Sequence, residues 1–252
     1  MSVLVFLKES INRQKKLSSF FLSSSLPFLP SSSSSLLSCG IQLCLSIKKM
    51  SSSSSTSSTN IFETHPPRQM NLIVAIDAEN GISKDNSLPW HLPKEYKHFQ
   101  ETTIKTSDPS KINAVIMGRK CWDSIPAKFR PLKSRINVIL SKTLPPQISE
   151  HCIITDDFDK ALKMLTEEEP YKSEVETIWN VGGKAIYQMG LEHPWMHKLV
   201  ITKIDATFDT DVQFPDIDWE NYELNEDFDG KPIEEKGLTY RIQSFTKKRS
   251  IA

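Results

Sequence analysis

The 252-residue chain has no excess of charge: 31 basic residues balance 31 acidic ones, so no global field attracts nucleic acid or an anionic membrane, and neither is indicated as a partner. Cysteine is scarce and poorly spaced for ligation. Cys39, Cys44, Cys121 and Cys152 contain no C-x-x-C pair, which fits neither a zinc site nor a disulfide framework, so a reducing compartment and no metal are expected. Serines and prolines interrupt every apolar patch before it reaches the roughly 18 to 20 residues of a membrane span. There is no internal repeat. The G-x-G-x-x-G spacing is absent too, so an ordinary dinucleotide-binding domain is not indicated.

Acidic residues are nearly missing from the beginning of the chain. Before Glu63 only Glu9 occurs, against Lys8, Arg13, Lys15, Lys16, Lys48 and Lys49, and serine runs occupy 31–35 and 51–55. That bias suits an organellar targeting leader or a disordered tail without an address, and Met50 and Met70 are alternative starts. Residues 1–69 are therefore read as a disordered serine-rich leader, 70–248 as one domain and 249–252 as a tail. The domain is expected in the cytoplasm, or in the mitochondrion or another organelle if the leader is genuine.

From Met70 onward short apolar, β-branched runs recur: NLIVAID, INAVIMG, RINVILS, HCIIT, TIWNVGG and KLVITKI. Such runs mark strands buried on both faces. Helical patterns alternate with them. KEYKHFQETTIK follows Pro93 at a first helical position, RKCWDSI follows Gly118, FDKALKMLTEEE follows Asp157 as an N-cap, and KAIYQMGL follows a glycine pair. The order predicts a mainly parallel sheet covered by helices, with TFDTDVQFP and LTYRIQSF as antiparallel strands closing one edge.

Two junctions run strand, glycine, helix: IMGRKCW at 116–122 and NVGGKAIY at 180–187. Uncapped N–H groups at a helix start favour an anion such as phosphate. One glycine turn is usually only backbone geometry. Two, with Arg119, Lys120 and then Ser141 and Lys142 nearby in sequence, suit a ligand with several phosphates. A third stretch, LPWHLPKEYKHFQ, sets a tryptophan between two prolines and opens a helix on which Glu95, Tyr96 and Phe99 share a face. A first-turn glutamate is commonly a solvated residue favoured by the helix dipole. A flat ligand lying on the two rings, with paired N–H groups meeting the carboxylate, would explain the rigid approach as well.

Taken in order, VAID, the N-G-I loop, LPW, LPKEYKHFQ, VIMGRKCW, S-I-P, RPLKSRINVILS, IWNVGG followed by Tyr187, and VITKI resemble dihydrofolate reductase from Met70 to about Lys247. The resemblance implies an α/β fold: a central eight-stranded, mostly parallel sheet with an antiparallel C-terminal edge and about four flanking helices. It implies a monomeric enzyme that reduces dihydrofolate to tetrahydrofolate with hydride from NADPH, supplying one-carbon metabolism. With no thymidylate synthase segment after it in the sequence, a monofunctional chain is expected.

Roles carry over by position. Glu95 matches the pterin-binding carboxylate, Thr202 the hydroxyl supporting it, and Trp90 a residue that holds an ordered water; these three are the catalytic set. Ile73, Ala75, Leu88, Tyr96, Phe99, Ile125, Pro126, Leu132 and Val181 match the substrate walls. Arg135 matches the guanidinium for the α-carboxylate of the glutamate tail, a planar task that lysine performs less well. For the cofactor, Ala75, Gly81, Ile82, Gly118, Arg119, Lys120, Cys121, Leu140, Ser141, Lys142, Val181, Gly182, Gly183, Lys184, Ala185, Ile186 and Tyr187 match, with the Gly182–Gly183 peptide cis.

Some positions depart from the pattern. Cys121 replaces a threonine, and a helix-start setting is expected either to lower its thiol pKa and leave it oxidisable or to bury it as an inert side chain. Ser83 and Asn86 stand where glycine is common, and Tyr96 adds a hydroxyl that needs a partner. Three rival readings are a deaminase-reductase type enzyme, which LPW and Glu95 oppose, a folate or NADPH binding module without turnover, and an interaction protein built around the leader.

Overall fold

The computed structural model describes residues 69–228 and 230–248. The expected leader, apart from Gln69, and the tail 249–252 lie outside the described residues. Each apolar run noted above forms a strand. In chain order they are β1 (Met70–Ile76), β3 (Ile112–Gly118), β4 (Arg135–Leu140), β6 (Cys152–Thr155), β7 (Val175–Asn180) and β8 (Met196–Ile204). These six lie side by side in the order β8, β1, β7, β3, β4, β6, and all five pairings are parallel. Both faces are covered, so the strands need no polar alternation, and all of β4 is buried.

Antiparallel additions close the edges. β12 (Leu238–Lys247) pairs along β8 and then with β10 (Tyr222–Leu224), which completes eight strands. Two three-residue pieces bring the sheet to ten: β5 (Gln147–Ser149) beside β6, and β11 (Ile233–Glu235) folded back on β12. TFDTDVQFP departs from expectation. Its Val212–Gln213, β9, pairs with β2 (Gly81–Ser83) in a separate two-stranded sheet instead of joining the edge. Only tertiary contact decides this, because a two-residue pairing leaves no periodicity to read.

Four helices match the expected ones: α1 (Pro93–Ile104), α2 (Arg119–Ser124), α3 (Phe158–Glu167) and α5 (Lys184–Glu192); α4 (Tyr171–Glu174) is a single turn. In α3, Asp157 accepts the Lys160 N–H at 2.8 Å as the N-cap, and Phe158, Ala161, Leu162 and Leu165 bury one face. Side chains of α3 and α5 pack with Ile116, Val138 and Ile178 on one side of the sheet. On the other, Trp90, Leu92 and Phe99 cover Ile73, Val115, Val200, Ile204, Tyr240 and Ile242. Burying each such aliphatic side chain contributes about 1.5–3 kcal/mol. Among the described residues no helix is long and apolar enough to cross a membrane.

The loop after β1 is fastened to the segment before β9. Asp77 is fully buried; its carboxylate accepts the N–H groups of Glu79 (2.9 Å), Gly81 (2.6 Å) and Phe208 (3.1 Å). Asp211 accepts from Asp85 N–H at 2.9 Å, and Lys84 meets Asp209 at 3.1 Å. This binds Ile82 and Ser83 to the body of the domain.

Candidate active site

A cavity of about 990 Å³ opens across the carboxyl ends of the parallel strands, where ligands gather in α/β sheets. Its wall contains four cations, Arg119, Lys120, Lys142 and Lys184, and one carboxyl, that of Glu95. Sheet order separates the two kinds of charge. The cations follow β3, β4 and β7, whereas Glu95 lies beside Thr202 of β8, whose register partner on β1 is Ala75.

Glu95 sits in the first turn of α1, 7% exposed, and its Oε1 accepts the Thr202 hydroxyl at 3.1 Å. Burial pushes its carboxyl up to about 7; the nearby Glu235 adds to this, and the Thr202 hydrogen bond opposes it. The Tyr96 and Phe99 rings stack beside it with centroids 6.2 Å apart. Ile73, Ala75, Leu88, Ile125, Leu132 and Val181 complete an apolar wall, Leu88 being its exposed member at 45%. Thr202 stands one hydrogen bond behind the wall. Trp90 is buried edge-on to Phe208, and its indole N–H has no protein partner among the described residues.

Arg135 does not reach the cavity wall. It is 2% exposed beneath α1, where its Nη1 donates to Thr103 Oγ1 at 2.8 Å and its Nε to the Lys133 carbonyl at 3.1 Å. None of the described carboxylates forms a salt bridge with it, and burial holds its pKa down at about 10. Buried cations ordinarily have an anionic partner. Pro126 also lies off the wall, between Ile125 and the short 3-10 turn at Ala127–Phe129.

At the other end, Gly118 and Gly183 are the N-caps of α2 and α5, and neither helix has a side-chain cap. The two junctions clasp each other through Gly118 N–H to Gly182 carbonyl, 2.7 Å. The Gly182–Gly183 peptide is cis, as expected. Gly182 has φ 95°, and a Cβ there would fall 2.6 Å from the Tyr187 ring, so glycine is required both by conformation and by space. Buried Asn180 braces the turn: its Oδ1 accepts from Gly182 N–H at 3.1 Å and its Nδ2 donates to the Ile186 carbonyl at 2.6 Å. Gly183, Lys184, Ala185, Ile186 and Tyr187 line the cavity with Ile82, Leu140, Ser141 and Lys142. Tyr187 is buried with its hydroxyl donating to the Ile73 carbonyl at 3.1 Å.

Several expectations change at these positions. Gly182 lies behind the wall. Gly81 does as well, and it is needed for packing, since a Cβ would fall 2.3 Å from Thr210 Oγ1. The Ser141 hydroxyl accepts from Thr143 and Leu144 N–H groups at 3.2 and 2.9 Å, so its turn already uses it. The lowered thiol pKa considered for Cys121 is overturned: burial pushes it up to about 11, with Sγ 3.8 Å from the Val181 carbonyl. Asn86 adopts φ 56°, a left-handed region that asparagine tolerates. Met117, Phe129, Thr143 and Gln188 line the cavity without having been singled out. Met117 precedes Gly118 on its strand and Thr143 follows Lys142, so adjacency to the chosen motifs was the available signal.

Comparison with known proteins agrees with this geometry. The family model described as dihydrofolate reductase matches residues 69–247. The dihydrofolate reductase of Sus scrofa is 43% identical over 186 residues, covering 71% of this chain and 98% of that protein. That of Gallus gallus is 41% identical over 184 residues, covering 71% and 97%. Among solved structures, Schistosoma mansoni dihydrofolate reductase superposes with a TM-score of 0.63 at 30% identity, covering 71% of this chain and 98% of that one.

Proposed function

The chain belongs to the dihydrofolate reductase family and reduces dihydrofolate to tetrahydrofolate with a nicotinamide cofactor, and on that premise we propose that NADPH is the donor and that Glu95 grips the pterin. The observation that carries this is a single cavity joining one buried carboxyl to four cations and two uncapped helix starts. Three phosphates, including one on the adenosine ribose, match the cationic end. Arg119 and Lys142 supply charge for the ribose phosphate, and the Gly118 and Gly183 junctions offer N–H donors to the pyrophosphate.

When bound, a reduced nicotinamide supplies a hydride from its C4 to pterin C6, and pterin N5 takes a proton. The chain's residues place and shield this exchange. The Glu95 carboxylate accepts paired hydrogen bonds from pterin N3 and the 2-amino group, which fixes the ring face presented, while Thr202 holds the carboxyl in place. The pterin plane lies against Tyr96 and Phe99, and Ile82 and Tyr187 close the nicotinamide side. Placement within about 3–3.5 Å and exclusion of bulk water account for most of the acceleration. The orphan indole N–H of Trp90 suits a water that carries the proton to N5. The reaction consumes one proton. Glu95, protonated in the free protein below about 7, brings that proton into the site, gives it up through water toward N5, and is left as the carboxylate that accepts the pterin pair, so kcat/KM should fall as pH rises past that value. Arg135, buried with no carboxylate partner among the described residues, suits the α-carboxylate of the folate tail.

Loss of NADPH absorbance with dihydrofolate, using the full chain and Glu95→Gln, tests the reading. Turnover is expected for the first, and a loss on the order of a hundredfold or more in kcat/KM for the variant at neutral pH. Equal rates would show that the wrong carboxyl had been chosen, and equal kcat/KM with NADH would remove the ribose-phosphate site.

A further inference from the structure

Helix α1 carries Glu95 but lacks a local cap. Its N-cap position is Leu92, whose side chain has no acceptor, and Pro93 at the first helical position has no N–H. The next N–H, that of Lys94, is accepted by both carboxylate oxygens of Glu235, at 2.9 and 3.0 Å. Glu235 comes from β11, at the turn into β12, 141 positions along the chain, and is itself 7% exposed. The Tyr240 hydroxyl of β12 donates to its Oε2 at 3.3 Å, and Lys94 Nζ reaches the Glu234 carbonyl at 3.4 Å.

We propose that Glu235 is a positioning residue for Glu95: from the C-terminal hairpin it anchors the first turn of α1 and places a second buried carboxylate beside the one that meets the substrate. This rests on Glu95 being the pterin-gripping carboxyl. A serine or threonine at position 92 would cap the helix as well, without charge. A distant buried carboxylate does something a local cap does not, since its negative charge disfavours ionisation of Glu95 and so keeps that group protonated to higher pH. The groups facing Glu95 are the Thr202 hydroxyl from β8, Glu235 from β11, Tyr240 from β12 and Tyr187 from α5; burial pushes both phenols up, so they remain neutral. Glu235 is thus the charged neighbour that tunes it.

The test is kcat/KM for dihydrofolate against pH in Glu235→Gln, with Glu234→Gln as a control that removes the same charge from the exposed side of β11. In Glu235→Gln the falling limb should move to lower pH by on the order of half a unit or more, with a several-fold higher KM for dihydrofolate and an unchanged KM for the cofactor. Glu234→Gln should overlay the parent protein. A Glu235→Gln profile that also overlays it, even with a lowered Tm, would reduce Glu235 to a structural cap and overturn the proposal. If Glu235→Gln does not fold, the carboxyl carbon resonance of Glu235 in the unmodified protein decides: it should shift across the titration of Glu95, and a resonance that does not respond there overturns the coupling. Should Glu95→Gln retain full activity, the assignment of Glu95 fails first, which is a different result from a silent Glu235→Gln.

Discussion

Glu95→Gln should make the free protein more stable in alkali while removing most of its activity. The carboxyl is raised from its ordinary 4.5 to about 7 because folding removes it from water. At about 1.36 kcal/mol per pH unit, that interval corresponds to about 3 kcal/mol. The sign follows from which form burial disfavours. An acid whose pKa is raised on folding leaves stability intact below its unfolded value, and stability is lost as pH rises through the folded value. Glutamine is the neutral isostere, and its side-chain oxygen can still accept the Thr202 hydroxyl, so it is exempt from that loss. At about pH 8 the variant should therefore exceed the parent by about 3 kcal/mol, and the gap should close toward about pH 4, where both side chains are neutral.

Urea unfolding of the ligand-free full chain and its variant at a series of pH values measures this directly, with equal slopes required for the comparison. Saturating substrate and cofactor should reverse the order, because only the parent gains the pterin contact. A variant less stable than the parent at about pH 8, or an advantage that does not vary with pH, would refute the claim that the substrate carboxyl is held in a desolvated slot at a cost to the fold.

Arg135→Lys should weaken dihydrofolate strongly and a pterin lacking the glutamate tail little, as measured by quenching of tryptophan fluorescence; equal weakening would mean that the guanidinium serves only Thr103 and the loop at Lys133. Cys121, with its thiol pushed up to about 11, should react slowly with iodoacetamide near pH 7.5 whether or not NADPH is present. Fast labelling at that residue, read by peptide mass and suppressed by the cofactor, would show that an accessible thiolate exists there.

What could be read from sequence follows the range over which each feature is determined. The six parallel strands were legible because burial on both faces writes itself as an unbroken apolar run, and the Asp157 cap because donor and acceptor lie three residues apart. Glu95 was half legible: its neighbours on one helix face could be named, but whether that face met water or a cavity depended on β8 and β11. Arg135 at a strand edge reads as a solvated charge, and only the covering of α1, through Thr103, makes it a buried cation in want of an anion. Glu235 sent no signal, since nothing in P-I-E-E-K-G refers to a helix 141 positions earlier. The chemistry of this site therefore depends on contacts between the first and last thirds of the domain. A substitution in β11 or at its turn into β12 should then change how the pterin is held before it changes how the cofactor is held, because the hydrogen bonds that brace the glycine junctions come from Asn180 and Tyr187 and not from that turn.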